Sequence, residues 1–595
     1  MKSVVIRLRD VLRARRFGRH APGTPATAAY PWLEPYPAGI DWSADIPVAP
    51  LHTLIDEAAS RFSERPCIDF LGRHYTYAEV RDQVNRAGKG FAQLGVRPGV
   101  KVGLCLPNTP YSVICYFAIL KAGGTVVNLN PLYVERELAQ LVEDSETDII
   151  VTLDLRQIYP KVAALLAHTR LRSIVVCPMS NILPTVKGLM FSVLKRSEIA
   201  DIPDDLQHVR FADLIDNDGA VTPPEVDPWH DVAVLQYTGG TTGAAKGAML
   251  THANLTANAH QVRAWATDLE EGGERILGVL PLFHVFGMTL VMNVGLFCGA
   301  ELVLVPRFVL KEMLGTIDKR RITVFMGVPT IFTAINASED LAEYDLSSLK
   351  YCISGGAPLP AAVREAFERL TGCTLVEGYG LSECAPVVTC NPLDGRGKDG
   401  SIGIPIPGTI VEIRSPDAPH KPLPIGEKGE ICVVGPQVMA GYWNRPDETA
   451  RTIVDGRLHT GDVGYMDEAG YVFLVDRIKD IILCGGYNVY PRDLEEAILL
   501  HDAVHEASVI GVPDDYRGQT PKAFVTLKKG KSLSEDELKA FLKDKLSPIE
   551  MPDFIEFRDD LPRSLIGKPS KKDLAAEEHA RRGAGRAAED SPSAS

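Results

Sequence analysis

The chain has 595 residues, enough for a large core and for two or more domains. Apolar residues make up 45% and charged residues 24%, which suits a soluble globular enzyme and excludes a wholly disordered chain. The net charge of −14 argues against nonspecific binding to nucleic acid, whose phosphates attract basic faces, and no zinc-finger or other nucleic-acid motif occurs.

The first twenty residues run against that balance, with Lys2, Arg7, Arg9, Arg13, Arg15, Arg16 and Arg19 facing a single acid, Asp10. On a helical projection Val4, Val5, Leu8, Val11 and Leu12 share one face, and Lys2, Arg9, Arg13 and Arg16 share another. Two readings stand: an interfacial helix on anionic lipid, or a solvated leader. The long apolar stretch and small-residue cleavage site of a secretory signal are missing. Further on, Leu51, Leu54, Ile55, Ala58, Ala59 and Phe62 recur at helical spacing, and residues 67–77, with a turn at Gly72, predict a hairpin.

Apolar runs then fall at 102–106, 125–129, 149–153, 174–177, 232–236, 276–280, 302–305 and 324–327, separated by helix-length segments. This alternation predicts an α/β fold of stacked parallel sheets with covering helices. Residues 182–196, ILPTVKGLMFSVLKR, are apolar with a basic end; they suit either a lipid interface or a surface loop packed on its own domain. The longest uncharged apolar run, 285–300, contains Asn293 and three glycines and falls short of the ~20 residues of a spanning helix, so it predicts a buried one. From 408 to 475 the texture shifts to short strands such as 429–434 and 470–475, a small β subdomain. Beyond 476–480 a compact α+β module extends to about 574. The closing residues, rich in Ala, Glu, Arg, Gly and Ser, predict a disordered tail.

The expected division is therefore a leader at 1–30, a large N-terminal domain at 31–475, a junction at 476–480, a small C-terminal domain at 481–575 and a tail at 576–595. The eleven cysteines form no C-x-x-C pair, so they read as small apolar residues in a reducing, cytoplasmic compartment.

The most telling stretch is 237–250, YTGGTTGAAKGAML. Gly239, Gly240, Gly243 and Gly247 let the backbone turn its N–H groups toward phosphate oxygens. Thr238, Thr241 and Thr242 add hydroxyl donors, and Lys246 adds positive charge. The strand at 232–236 leads into this loop, and residues from 250 onward read as helix, so the loop lies at a strand end where α/β proteins bind ligands. The combination points to a polyphosphate such as ATP. It is not the Walker loop, because no G-x-x-x-x-G-K-[ST] spacing is present and Gly follows the Lys.

In chain order this loop is followed by PLFHVFG at 281, SGGAPLP at 354, GYGLSE at 378, HTGD at 459, DRIKD at 476, GGYNVYP at 485 and LPRSLIGK at 561. In this order the motifs resemble the adenylate-forming superfamily of acyl-CoA synthetases, which includes luciferase and 4-coumarate ligase. The resemblance spans about residues 50 to 575 and is nearest to bacterial long-chain fatty-acid CoA ligases, whose loop also tends to carry TGG.

That resemblance implies two steps: a carboxylate attacks the α-phosphorus of ATP to give acyl-AMP and pyrophosphate, and the thiol of coenzyme A then displaces AMP. It makes Thr238, Gly239, Gly240, Thr241, Thr242, Gly243 and Lys246 the phosphate loop, with Glu383 and Thr242 as Mg²⁺ ligands. Tyr379, between Gly378 and Gly380, would stack on adenine, and Gly355, Gly356 and Ala357 would let the base approach backbone. Asp462 would accept from the ribose hydroxyls and Arg477 would contact ribose or α-phosphate. Lys479 would serve as the hinge of a mobile C-terminal domain. Lys568 would reach the carboxylate and α-phosphate only on domain closure, and Pro569 departs from the aliphatic residue often found after it. Gly485, Gly486 and Tyr487 would line the pantetheine channel in the second step. His284 either lies beside the acyl carboxylate, with a gating role, or is a core histidine.

The acyl pocket is expected from apolar segments around 285–294, 325–332 and 384–388. Since each buried methylene contributes about 0.8 kcal/mol, roughly fourfold in preference, such a pocket favours a medium- to long-chain fatty acid. The alternatives are an acyl-AMP ligase that loads a carrier protein, a CoA ligase for dicarboxylic or aromatic acids, and a sensor that binds nucleotide or acyl-adenylate without turnover. Oligomeric state stays open, and the basic leader suits peripheral attachment to the inner face of a membrane.

Overall fold

The computed structural model describes residues 30–238, 245–416, 418–485, 487–514, 516–563 and 569–589. All eight apolar runs form strands, divided between two large sheets. The first has seven strands in the order His208–Arg210, Ser173–Cys177, Thr147–Leu153, Lys101–Cys105, Thr125–Asn128, Val232–Thr238 and Lys246–Thr251. Its strands run parallel except the last, which pairs antiparallel with Val232–Thr238 and sets Thr238 opposite Lys246. The segment from 250, expected as helix, thus begins two residues later. Gly247, Ala248, Leu250 and Thr251 are buried as sheet residues, and the Thr251 side chain accepts from Asn254 N at 3.2 Å, so the helix opens only after this cap.

The second sheet has nine strands, ordered Ile404–Pro405, Val387–Cys390, Leu375–Gly380, Tyr351–Ser354, Val324–Gly327, Arg275–Gly278, Glu301–Leu304, Pro66–Phe70 and Arg73–Thr76. Its centre is parallel and antiparallel pairs close both ends, the last being the hairpin expected around Gly72. One continuous core, reaching from Trp32 to Val472, includes residues of both sheets.

The helices include α1 (Thr53–Phe62), α2 (Tyr77–Gln93), α3 (Pro110–Lys121), α4 (Thr185–Leu194), α5 (His252–Trp265), α6 (Pro491–Leu499) and α7 (Lys571–Glu589). Helix α2 starts at a capping box between Thr76 and Glu79. Every residue of α3 is buried; its one charge, Lys121, reaches Asp56 Oδ1 at 2.6 Å and Asn85 Oδ1 at 2.7 Å, which satisfies a cation that could not otherwise be enclosed. The run at 285–300 is buried as expected, as a π-helical turn over Gly287–Asn293 followed by Val294–Phe297. The segment at 182–196 is not a loop but contains α4, with much of its apolar side facing outward. No helix among the described residues is long and apolar enough to cross a membrane.

Strands Ile410–Arg414, Gly429–Val434, Ile453–Val454, Arg457–Met466 and Val472–Arg477 form the antiparallel subdomain sheet. After a 3₁₀ turn at Ile478–Asp480, a further sheet orders Tyr487–Val489, Ile482–Cys484, Gly518–Leu527 and Val504–Asp514, with Phe554–Arg558 parallel to Gly518–Leu527. It packs with α6 around its own core, including Ile482, Leu494, Val509, Ala523 and Leu538. The expected tail from 576 lies instead within α7 as far as Glu589. Ala, Glu and Arg are strong helix formers, Leu574 is buried, and Lys522 holds Glu578 at 2.8 Å.

Candidate active site

A cavity of about 590 Å³ opens where Tyr351–Ser354 and Leu375–Gly380 end, beside the Val232–Thr238/Lys246–Thr251 hairpin and the subdomain strands Arg457–Met466 and Val472–Arg477. Residues drawn from six of the motifs line it: Thr238 and Lys246; His284; Gly355 and Gly356; Gly378, Tyr379, Gly380 and Glu383; Asp462; Arg477 and Lys479. Close backbone approach explains one of the glycines directly, because a Cβ on Gly380 would lie 2.3 Å from Pro386 O. Gly461, at the irregularity within strand Arg457–Met466 that precedes Asp462, has φ +74°, the left-handed region that favours glycine.

Several of the polar side groups are already paired. Tyr379 donates its hydroxyl to Asp462 Oδ2 at 2.6 Å, and Arg477 Nε lies 3.1 Å from Asp462 Oδ1. Burial and the Asp462 charge push the Tyr379 phenol well above its ordinary range, so it stays a donor. Tyr442 donates to Glu383 Oε1 at 2.7 Å, and burial followed by the Glu383 charge raises its pKa too. Lys246 Nζ sits 2.5 Å from Glu448 Oε2 and 5.3 Å from the centre of the Tyr442 ring. Glu430 fixes the backbone before Asp462, taking Gly461 N at 2.9 Å and holding His459 Nδ1 at 2.6 Å.

The same lining is apolar in part, through Val262, Trp265, Phe286, Leu290 and Val387. Of the three segments expected to build an acyl pocket, 285–294 and 384–388 contribute, whereas no residue of 325–332 is among those lining this cavity. In their place α5 supplies Val262 and Trp265, which no motif marks. Asn108 was also invisible in the sequence: its amide donates to Gly278 O and Leu280 O, both at 2.8 Å, and accepts from Leu282 N at 2.8 Å, which fixes the segment before His284. The backbone N–H of Phe286 donates to His284 Nδ1 at 3.3 Å.

Three further expected residues lie elsewhere. Ala357 is half-buried just beyond the lining, Gly485 lies in the turn that follows strand Ile482–Cys484 of the C-terminal sheet, and Tyr487, in the next strand, is exposed. Gly239, Gly240, Thr241, Thr242, Gly243, Gly486 and Lys568, like the basic leader, lie outside the described residues.

Glu383 is a carboxylate on the cavity wall beside Thr238 and Lys246, an arrangement that fits an ion held by one carboxylate, several waters and nucleotide phosphates. Among the described residues the tighter clusters of donor atoms are Glu430–Cys432–His459 and Asp69–His74–Glu301, and neither contains Glu383. The first is a hydrogen-bonded group behind Asp462, with burial pushing the Cys432 thiol well up and so disfavouring a thiolate ligand.

The AMP-binding enzyme model matches residues 55–443, and the AMP-binding enzyme C-terminal domain model matches residues 493–568. The long-chain-fatty-acid–CoA ligase of Bacillus subtilis is 43% identical over 551 residues, covering 92% of this chain and 98% of that protein. The enzyme of the same name from Escherichia coli O6:H1 is 37% identical over 561 residues, with the same coverage. The ATP-bound crystal structure of MatB from Rhodopseudomonas palustris superimposes with a TM-score of 0.79 at 29% identity, covering 90% of this chain and 99% of MatB.

Proposed function

The chain belongs to the AMP-binding enzyme family, and from that premise we propose that it joins a medium- to long-chain fatty acid to coenzyme A through an acyl-adenylate, releasing AMP and pyrophosphate. The observation that carries this reading is a single cavity whose lining combines two chemistries. Lys246, Glu383, Asp462 and Arg477 supply charge suited to a nucleotide, and Trp265, Phe286, Leu290 and Val387 offer apolar surface suited to an alkyl chain. A carboxylate does not react with a thiol until one of its oxygens becomes a leaving group, and adenylation provides that.

In this mechanism Tyr379 supports adenine and Asp462 accepts from the ribose hydroxyls, with Arg477 close enough to follow the ribose or the α-phosphate. Thr238, Lys246 and the loop 239–244 receive the β- and γ-phosphates, and Lys246 exchanges Glu448 for phosphate oxygen as nucleotide enters. Glu383, oriented by Tyr442, would hold Mg²⁺ with Thr242, and the ion would offset charge building on the phosphates. Lys568 is delivered from the C-terminal module, with Lys479 at the turn between 476 and 480 as its pivot. Gly485, Gly486 and Tyr487 swing toward the cavity for the thiol step. The module spans 481–575, and the protein works in the cytoplasm, collecting its acid at the inner membrane face.

The test is ATP–pyrophosphate exchange together with CoA-thioester yield over acids from acetate to oleate, plus aryl and dicarboxylic acids. Exchange and thioester should both rise with chain length. Exchange without thioester would move the reading to a carrier-protein ligase, and no exchange with any acid would end it.

A further inference from the structure

Helix α4 places its apolar stripe outward. Val186, Leu189, Met190, Val193 and Leu194 follow helical spacing i, i+3, i+4, i+7, i+8, and each is at least 52% exposed. Its inward side is built for tight seating: a Cβ on Gly188 would meet Ser180 O at 2.5 Å, and Phe191 packs half-buried on the main core. The stripe is therefore not a helix turned the wrong way, because the small residue that permits close packing is already inside. Lys187 Nζ reaches Leu71 O at 3.0 Å, which sets the exposed tip of the 66–76 hairpin beside the helix.

Charge identifies what covers this surface. Residues 182–196 carry Lys187, Lys195 and Arg196 and no acid, a net +3 within a chain of −14. We propose that α4, with Leu71 at its side, is a lipid-docking surface that lies in the interface of an anionic bilayer, its apolar stripe among the acyl chains and Lys187 at headgroup level. A second copy would bring like charge, Lys187 against Lys187, to the same apolar contact, and five side chains on one short helix fall well below the roughly 800 Å² per partner of a standard protein interface. The basic leader carries the same sign and so does not complement the patch. Lys195 pairs with Glu198 at 2.6 Å and Arg196 with Asp201 at 2.6 Å, so attraction to the headgroups is partly offset within the protein and apolar insertion dominates. The purpose assigned to docking, access to a membrane-dissolved acid, rests on the fatty-acid reading above; the docking itself does not.

The test uses the full chain and sedimentation with vesicles of equal parts phosphatidylcholine and phosphatidylglycerol, against phosphatidylcholine alone. The wild type should bind the anionic vesicles. Leu189→Glu with Val193→Glu should cut binding by about tenfold or more while leaving the melting temperature and thioester formation from soluble octanoate unchanged. Val186→Ser with Leu194→Ser should give a smaller loss in the same direction. Unchanged vesicle binding in both variants would overturn the proposal. So would light scattering that shows a wild-type dimer and a monomeric Glu variant, since the stripe would then be an interface between copies. Loss of docking in a protein that activates no acid would leave this surface standing and remove the ligase reading instead.

Discussion

The two sides of the catalytic apparatus are held in opposite ways. On the large sheets and the subdomain, several polar groups around the cavity are locked before any ligand arrives: Tyr379 and Arg477 on Asp462, Tyr442 on Glu383, Glu430 on the backbone before Asp462. The C-terminal sheet has a core of its own and meets the subdomain through polar links, with Arg492 N donating to Asp476 at 2.9 Å, Arg492 Nη1 donating to Leu474 O at 2.6 Å, and Lys428 near Asp493 at 3.6 Å. Arg563 and Pro569, which flank the segment that contains Lys568, pair with each other, and Arg563 is tied to Glu506 at 2.6 Å. Groups that must recognise a nucleotide profit from being fixed in advance, whereas a group needed in one half-reaction and absent from the next profits from a separately folded carrier.

If that contrast holds, the largest loss should come from Lys568→Ala. Pyrophosphate exchange should fall by about 10³-fold, while thioester formation from supplied acyl-AMP stays within roughly threefold. Equal losses in both half-reactions would mean that the lysine is not specific to the first. Glu383→Gln should lower kcat/KM by about 10²-fold and raise the Mg²⁺ concentration needed for half-maximal rate, since an amide is a much poorer ligand for a hard cation; an unchanged Mg²⁺ dependence would remove Glu383 from that role.

Acid should take the two regions apart in sequence. Burial holds His252 at about 3 and His52 at about 4 in the large region, below the ordinary value of 6.5. With folded values depressed, the unfolded chain binds more protons below pH 6.5, so this stability is complete above that pH and is lost as pH falls toward 4 and 3. In the C-terminal sheet, burial works against the Glu556 charge, but hydrogen bonds from Lys522, Arg581 and Arg558 outweigh it and hold the group at about 2. Its contribution is present above the ordinary 4.5 and is lost only as pH falls toward 2. All five tryptophans, at 32, 42, 229, 265 and 443, lie in the large region, so their emission should change before amide exchange quickens in the C-terminal strands. The reverse order would contradict the assignment. The smallest effect expected is from Tyr442→Phe, which removes one hydrogen bond to a charged group. Activity should drop about tenfold at low Mg²⁺ and recover as Mg²⁺ rises; a loss that Mg²⁺ leaves unmoved would show that the hydroxyl does not act through Glu383.

Much of the fold was legible because strands buried on both faces read as short apolar runs, and each of the eight runs lies within a few residues of an observed strand; Tyr351–Ser354, Leu375–Gly380 and Val387–Cys390 were not marked as strands. Sheet order was not legible: nothing local in 301–304 says that it sits between 275–278 and 66–70. The motifs located most of the polar lining of the cavity, since glycines, threonines and carboxylates at fixed spacing carry local chemistry. Tyr442, Glu448, Asn108 and Glu430 escaped because their roles arise from contacts made across the fold; Tyr442 meets Glu383 from 59 positions away. Helices α3 and α4 give the same lesson. Both are apolar, yet one is enclosed all round and the other faces out, a difference set by neighbours that periodicity does not report.

All eleven cysteines are buried, ten of them between 67 and 432 and the other, Cys484, in the C-terminal sheet. Apart from Cys390, on the cavity wall, and Cys373, in a surface pocket, the sulfurs are closed to an alkylating reagent until some part opens, and the rate at which each is tagged becomes a clock for the opening of its surroundings. Peptide mapping after timed exposure would read Cys484 as the reporter of the small lobe and the remaining closed sulfurs as reporters of the large one, with no engineered label in either.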